Sequence, residues 1–418
     1  MFSGEKLLKK RLYPRDVLNY VMEILSGRRT LLIVGGRKVG KTPLLYLIAQ
    51  ELISSGKEKV FYFDLEFPDD LDLVARGPED LRNIYGGGIY LIDEIQYLPR
   101  ADKFIKIIVE HFPDIKLVCS GSSSIAIYRK FQDSLIGRIH ELELYPLNFR
   151  EYLRFRGYEE YTYFLPEWDL FSDTPPITSL PDVIHREYLL YLKNGGYPEV
   201  VLTGSSEEKV RFISQIFSLY AKRDLREVFA LRKETEFEKF FMGLAGTVGG
   251  LCNLNEICRD AGIQYKTGKQ YLFLLKKLFL VKVLTPLTFN VRDAIRKMPK
   301  VYFTDTGLLN WARGTMLKKR PDGSVLENAV YVSILRRLTP FDRLYFFHKK
   351  RGGEVDFVIK RGDKILPIEV KLSGKITPSF RNFIRREKPE RGIVVTIRDS
   401  GLEYVDKTPV YFVPACII

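Results

Sequence analysis

Along the first 150 or so residues, apolar positions follow two alternating rhythms. "TLLIVGG", "KVFYFDLEF", "GIYLIDE" and "IKLVCSGS" are short, almost unbroken apolar runs, as expected of strands covered on both faces. Between them, "TPLLYLIAQELISSG" and "RADKFIKIIVEHF" repeat their apolar residues every three or four positions, the period of an amphipathic helix. Strand and helix in alternation predict an α/β unit, a parallel sheet with helices on its faces. From about Leu144 to Thr235 the patterning is mostly helical. "FSDTPPITSLPD" interrupts it with a loop or lid, and "NGGYPEV" interrupts it again.

The pattern changes twice more. Over roughly 236–300, "LNEICRDAGI" and "YKTGKQYLFLLKKLFLV" predict a helix-turn-helix, and "KVLTPLTF" and "KVYFTD" add short strands, the pattern of a winged helix. Tyr271, Leu272, Leu275 and Phe279 form the expected buried side of the second helix, and Lys266, Lys269, Lys276 and Lys277 decorate it. Gly268 inside that helix weakens it by about 1 kcal/mol relative to alanine. Such a basic helix either contacts DNA or serves as a packing surface. From about 325 the order is helix, hairpin, helix, strand, with "RGIVVTIRD" and "VYFVPACII" as further core strands. In the hairpin, residues 355–360 and 365–371 flank a turn at 361–364. Symmetric pairing sets Asp356 opposite Glu369, with Cβ atoms roughly 5 Å apart. Two like charges there are unfavourable. A bound metal, a slipped register, a bulge at Pro367 or the neighbouring Lys371 would each relieve the repulsion.

Gly35-Gly36-Arg37-Lys38-Val39-Gly40-Lys41-Thr42 fits G-x-x-x-x-G-K-[ST] between a strand and a helix. In that setting backbone N–H groups wrap phosphates, Lys41 reaches the β- and γ-phosphates, and the Thr42 hydroxyl ligates Mg²⁺. Pro43 is tolerated because the first helical turn has no N–H bond to lose. Asp93 ends the apolar run "IYLIDE", where it would hold Mg²⁺ through water, and Glu94 follows to polarise the attacking water. Ser120 in "KLVCSGSSS" is a sensor of the γ-phosphate or of that water, or simply part of a serine-rich turn. Arg138 is a candidate arginine finger, worth about 10³-fold in rate, against the commoner fate of a structural ion pair.

The chain has 418 residues, is 45% hydrophobic, and carries a net charge of +14. That charge favours a polyanionic partner, and with the motifs it points to DNA. Four cysteines without CxxC spacing exclude a disulfide scaffold, and four histidines argue against a Cys/His zinc cluster. Any metal is then a hard ion held by carboxylates and phosphates. There is no apolar run of about 18 residues and no apolar signal core at the N-terminus, so the expectation is a cytoplasmic protein with no membrane partner.

In order along the chain, "GGRKVGKTPLL", "YLIDEIQYLP", "SGSSS", "GRIHELELYPLNFREYL", "NGGYPEV", "KVYFTDTGLLN" and "EVDFVIKRGDKILPIEVK" resemble the P-loop ATPases of archaea and bacteria, related to the AAA+ and STAND classes, that carry a winged helix and a nuclease-like C-terminal domain. Pro43 stands where such proteins more often have Thr or Ser. The resemblance implies binding of ATP with Mg²⁺ and a helical lid after the ATPase core. Glu327, near the start of "LENAVYVSILRRL", joins Asp356, Glu369 and Lys371 in the order E…D…E-x-K, which resembles the PD-(D/E)XK nuclease superfamily. There the carboxylates bind Mg²⁺, and the lysine polarises the attacking water or stabilises developing charge. The expected architecture is a P-loop ATPase core at 1–150, a helical lid at 151–235, a winged helix at 236–324 and a restriction-endonuclease-like α/β domain at 325–418. The expected function is ATP binding and hydrolysis by a protein acting on DNA, with ATP gating the C-terminal nuclease. The alternative is an ATPase switch, or a DNA- or protein-binding module, whose nuclease-like domain is inactive. An arginine finger acting in trans would require a homo-oligomer.

Overall fold

A computed structural model of the chain describes residues 12–27, 30–56, 59–121, 137–221, 234–288, 297–318, 320–349 and 353–418. The chain divides into two compact units, residues 1–146 with 277–279, and residues 147–276 with 280–418.

The first unit contains α1 (Val17–Ser26), β1 (Thr30–Gly35), α2 (Lys41–Ser55), β2 (Val60–Asp64), α3 (Pro68–Ala75), α4 (Pro78–Tyr85), β3 (Gly88–Asp93), α5 (Ala101–His111), β4 (Ile115–Gly121) and β5 (Ile139–Leu144). Its sheet has the order β2-β3-β4-β1-β5, with every pair parallel. All six residues of β1 are buried, which is why that run carries no polar alternation. Leu32, Val34, Phe63, Ile92, Leu117 and Cys119 from the strands pack with Phe104, Ile105 and Ile108 of α5. Because β4 lies between β1 and β3, the carboxyl ends of all three strands meet at one edge. Ile33 pairs with Ser120, and Ile92 pairs with Cys119. Hydrophobic periodicity misses β5, "IHELEL", an edge strand whose polar residues hide its strand character. It also misses α3 and α4, which have eight residues each and are too short to show a helical repeat.

The second unit opens with α6 (Phe149–Phe155), α7 (Asp182–Asn194), α8 (Pro198–Leu202) and α9 (Ser206–Leu219). Then come α10 (Glu234–Gly246), α11 (Leu254–Asp260), α12 (Tyr265–Lys277), β6 (Val281–Leu284), β7 (Lys300–Phe303), α13 (Thr306–Ala312) and α14 (Gly323–Arg337). The strands β6 and β7 form an antiparallel pair. In α12, Tyr271, Leu274 and Leu275 are buried while Lys266, Lys269 and Lys276 are exposed. Gly268 is there for space: a Cβ would lie 2.1 Å from Cys258 Sγ, where α11 crosses α12.

The chain ends in β8 (Asp342–Lys349), β9 (Gly353–Arg361), β10 (Lys364–Val370), α15 (Pro378–Glu387), β11 (Gly392–Thr396), β12 (Gly401–Val405) and β13 (Thr408–Pro414). They form a mixed sheet ordered β12-β13-β11-β10-β9-β8. The hairpin register is the symmetric one, running from Lys364 opposite Arg361 to Ile368 opposite Phe357. Pro367 causes no slip. The segment between α6 and α7, which includes the loop or lid expected at 171–182, is strapped onto this C-terminal sheet, with Thr178 N–H donating to Ser400 Oγ at 3.1 Å. Trp168 Nε1 donates to the Ile417 carbonyl at 2.9 Å, Arg391 donates to the Leu170 carbonyl at 2.9 Å, and Arg361 pairs with Asp169 at 3.3 Å. Burial of Trp168 and Leu170 accounts for its ordering there.

Candidate functional site: a phosphate loop and an acidic cluster

The loop 36–40 turns from β1 into α2 with Lys38 at φ 63° and Gly40 at φ 97°. Only glycine adopts the second of these without steric cost, which accounts for Gly40. Arg37 and Val39 complete the turn. Pro43 is accommodated as expected, because the first helical bond is Leu44 N–H to the Gly40 carbonyl at 3.0 Å. Lys41 is buried and donates to the carbonyls of Gly35 at 3.2 Å and Gly36 at 2.8 Å. Burial pushes its pKa down to about 8, against the opposing pull of Glu94 and Asp93. The Thr42 hydroxyl donates to Asp93 Oδ2 at 2.6 Å.

Asp93 is the hub of this edge. Its Oδ2 also accepts from the Tyr62 hydroxyl at 3.1 Å, and its Oδ1 accepts from Glu94 N–H at 3.1 Å and from the Ser120 hydroxyl. Glu94 follows the end of β3 in the left-handed region at φ 56°, a strained backbone for a residue other than glycine. The Gln96 amide donates to its Oε2. Residues 122–124 of the serine run lie outside the described residues.

Two groups in this unit have no sequence signal. Tyr62 reads as one more apolar residue of β2. Arg15 precedes α1, is buried, and donates to the Val39 carbonyl and the Tyr145 carbonyl, each at 3.0 Å. It thereby ties the phosphate loop to the end of β5.

Arg138 lies elsewhere. Thr30, at the amino end of β1, pairs with Ile139, while Gly35 at the carboxyl end pairs with Leu144. Arg138 is therefore at the opposite edge of the sheet, about 20 Å along the strands from the phosphate loop of its own chain at 3.3 Å per residue. It forms an ion pair with Glu110 of α5 at 2.8 Å. As a finger it can serve only another chain's site.

In the second unit the structure does gather Glu327, Asp356, Glu369 and Lys371. Asp356 Oδ2 accepts from Val370 N–H at 2.8 Å, and Lys371 Nζ lies 3.0 Å from Glu369 Oε1 and 3.6 Å from Asp356 Oδ2. Thr377 donates to Glu369 Oε1 at 2.9 Å. The residue that sequence reading missed is Lys300. It is fully buried on β7, with its Nζ 3.0 Å from Glu327 Oε1 and 3.9 Å from Asp356 Oδ1. Burial and the neighbouring Asp356 raise the pKa of Glu327 and raise that of Glu369 to about 7. Among the described residues no group of three or more His, Cys, Asp or Glu side chains is arranged to hold a metal ion. Lysine ammonium groups stand between these acids.

The parallel sheet, the glycine loop at the start of α2 and the Thr42–Asp93 contact define the class: residues 27–153 match the family model described as an AAA domain, and the chain carries an AAA+/P-loop NTPase superfamily domain. Residues 185–319 match domain of unknown function DUF8612, and residues 322–416 match domain of unknown function DUF4143. An uncharacterized protein of Haemophilus influenzae is 25% identical over 383 residues, which is 87% of this chain and 88% of that one. An uncharacterized protein of Methanocaldococcus jannaschii is 23% identical over 411 residues, 93% of this chain and 87% of its own. Among solved structures, the Aeropyrum pernix ORC2 protein in its ADP form is 12% identical, covers 75% of this chain and 99% of its own, and has a TM-score of 0.34. A likeness at that score carries no argument about function. Among the described residues, no helix is long and apolar enough to cross a membrane.

Proposed function

We propose that this chain is an ATP-hydrolysing switch that acts on DNA, and that its C-terminal module binds rather than cuts. The observation that carries the ATPase reading is the 2.6 Å contact between Thr42 and Asp93 below the glycine loop. These two groups would hold a nucleotide-bound Mg²⁺, Thr42 directly and Asp93 through water, and the ion would supply neutralisation of charge on the phosphates. Gly35, Gly36, Arg37, Lys38, Val39 and Gly40 present backbone to the phosphates, and Lys41 leaves its carbonyl partners for the γ-phosphate. A pKa near 8 keeps Lys41 mostly charged at neutral pH. Glu94 polarises the attacking water, and Ser120, bonded to Asp93, reports the occupant of the site. Arg138 completes the site of a neighbouring copy in a homo-oligomer.

In this reading residues 1–150 are the ATPase core, 151–235 a helical segment, 236–324 a winged helix and 325–418 a nuclease-like module. The net charge of +14 and the exposed Lys266, Lys269 and Lys276 on α12 support a DNA phosphate partner. Lys300, a lysine outside the E…D…E-x-K order that lies 3.0 Å from Glu327 and 3.9 Å from Asp356, supports binding over cutting. The test is binding of a fluorescent ATP analogue together with phosphate release. Lys41→Ala weakens binding by about 100-fold or more, and Glu94→Gln keeps binding while losing turnover by about 10²–10³-fold. Full turnover by Lys41→Ala would sink the assignment.

A further inference from the structure

Lys300 opens β7 and is completely buried. A lysine is stable there only when its charge is met by partners. Its ammonium lies 3.0 Å from Glu327 Oε1, 2.5 Å from Glu354 Oε1 and 3.9 Å from Asp356 Oδ1. Glu327 comes from α14, and Glu354 and Asp356 from β9, so one nitrogen joins three elements. Glu327 Oε1 also accepts from the Tyr302 hydroxyl at 2.6 Å. A Mg²⁺ ion demands oxygens at about 2.0–2.1 Å in octahedral array. An ion bridging Glu327 and Asp356 would need the space the ammonium takes, beside a second positive charge. The cluster nonetheless keeps an acceptor to spare: Glu369 is 3% exposed, and its Oε2 has no hydrogen-bond partner among the described residues.

We propose that Lys300 is a built-in cation, which fills the place between Glu327 and Asp356 where a nuclease-like site would take a divalent metal and so closes the cluster to Mg²⁺. The proposal rests on the reading of residues 325–418 as a nuclease-like module that does not cut. It adds the residue responsible, one that lies outside those 94 positions in the sequence, on the preceding strand pair. Lys300→Met keeps the length of the side chain and removes the charge. It leaves Glu327 Oε1 and Asp356 Oδ1 without their ammonium partner, beside the unpartnered Glu369 Oε2 and with only Lys371 left as a cation for the group, a deficit of positive charge under which carboxylates recruit a hard ion.

The test titrates Mn²⁺ into the full-length, nucleotide-free protein and follows the free-ion signal by electron paramagnetic resonance. The wild-type and Asp356→Asn curves coincide, since neither holds Mn²⁺ at the cluster and any ion at Thr42 and Asp93 is common to both. Lys300→Met gains one site per chain, at least about tenfold tighter than any wild-type site, and Lys300→Met/Asp356→Asn loses it. Two results overturn the proposal. One is a wild-type site that Asp356→Asn removes. The other is a Lys300→Met protein, folded by circular dichroism, that gains no site. If Lys300→Met does not fold, the wild-type comparison with Asp356→Asn decides alone, with coincidence supporting the closed cluster and a difference refuting it. Failure of the ATPase reading shows separately, in nucleotide binding by Lys41→Ala.

Discussion

Asp93 and Asp305 are both buried acids, and their surroundings set them to different tasks. Asp93 ends β3 beside the glycine loop and spreads four accepted bonds over two oxygens. Asp305 is enclosed: it caps α13 through Leu308 N–H at 2.9 Å and accepts Gly196 N–H at 2.7 Å. It thus pins "NGGYPEV" to "FTDTG". Burial pushes its pKa up to about 6 from 3.8, although three backbone N–H groups pull the other way. A carboxyl whose folded pKa lies above its unfolded one stabilises the fold below about pH 4 and loses that contribution as pH rises through 6. Urea midpoints measured from pH 4 to 7 should therefore show the wild type losing up to about 3 kcal/mol relative to Asp305→Asn. A constant difference across that range would refute the assignment. Asp93 is legible in sequence because it ends its own apolar run. Asp305 is not, because its partner Gly196 lies 109 residues away.

Elements show the same division. The helices α11 and α12 are legible from their periodicity, including the exposed Lys266, Lys269 and Lys276 and the buried Tyr271 and Leu275, whereas Leu272, expected on the buried side, is half-buried. Gly268 reads from sequence only as a weak point in the helix. The structure makes it the contact at which α11 and α12 approach, since an added Cβ meets Cys258 Sγ at 2.1 Å. Alanine there gains about 1 kcal/mol of helix propensity but overpacks the crossing. Gly268→Ala alone should lower stability by about 1–3 kcal/mol. Adding Cys258→Ala should return most of that loss, a coupling that a double-mutant cycle in urea measures directly. Additive effects would place the strain elsewhere.

For the whole molecule, two predictions follow from charge and assembly. If phosphates dominate DNA binding, log K falls linearly with log salt, and each of Lys266→Ala, Lys269→Ala and Lys276→Ala reduces the slope by about 1 in filter-binding or anisotropy titrations. Unchanged slopes would make α12 a packing helix. Arg138 lies at the far edge of its own sheet, so a finger role would require a second copy. Arg138→Ala should retain nucleotide affinity, lose about 10²–10³-fold in turnover, and recover activity on mixing with Glu94→Gln. If mixing restores nothing, Arg138 is only the partner of Glu110.

Some features follow from the sequence by itself. Contiguous patterns, namely the buried strands of the first sheet, the glycine loop before α2, the symmetric hairpin and the basic helix, depend on residues within a few positions of one another. Their physics is local: side-chain period, turn chemistry and the needs of a phosphate at a helix start. Tertiary structure alone decided the rest. It set β5 at the sheet edge, held the glycine loop with Arg15, carried Arg138 to the end of the sheet away from that loop, and brought Lys300 into the C-terminal acids. Each of these depends on groups far apart in the chain, and Arg15 and Lys300 meet their partners where water is excluded. Burial there makes an unmatched charge costly, and no local spacing records which distant residue will match it.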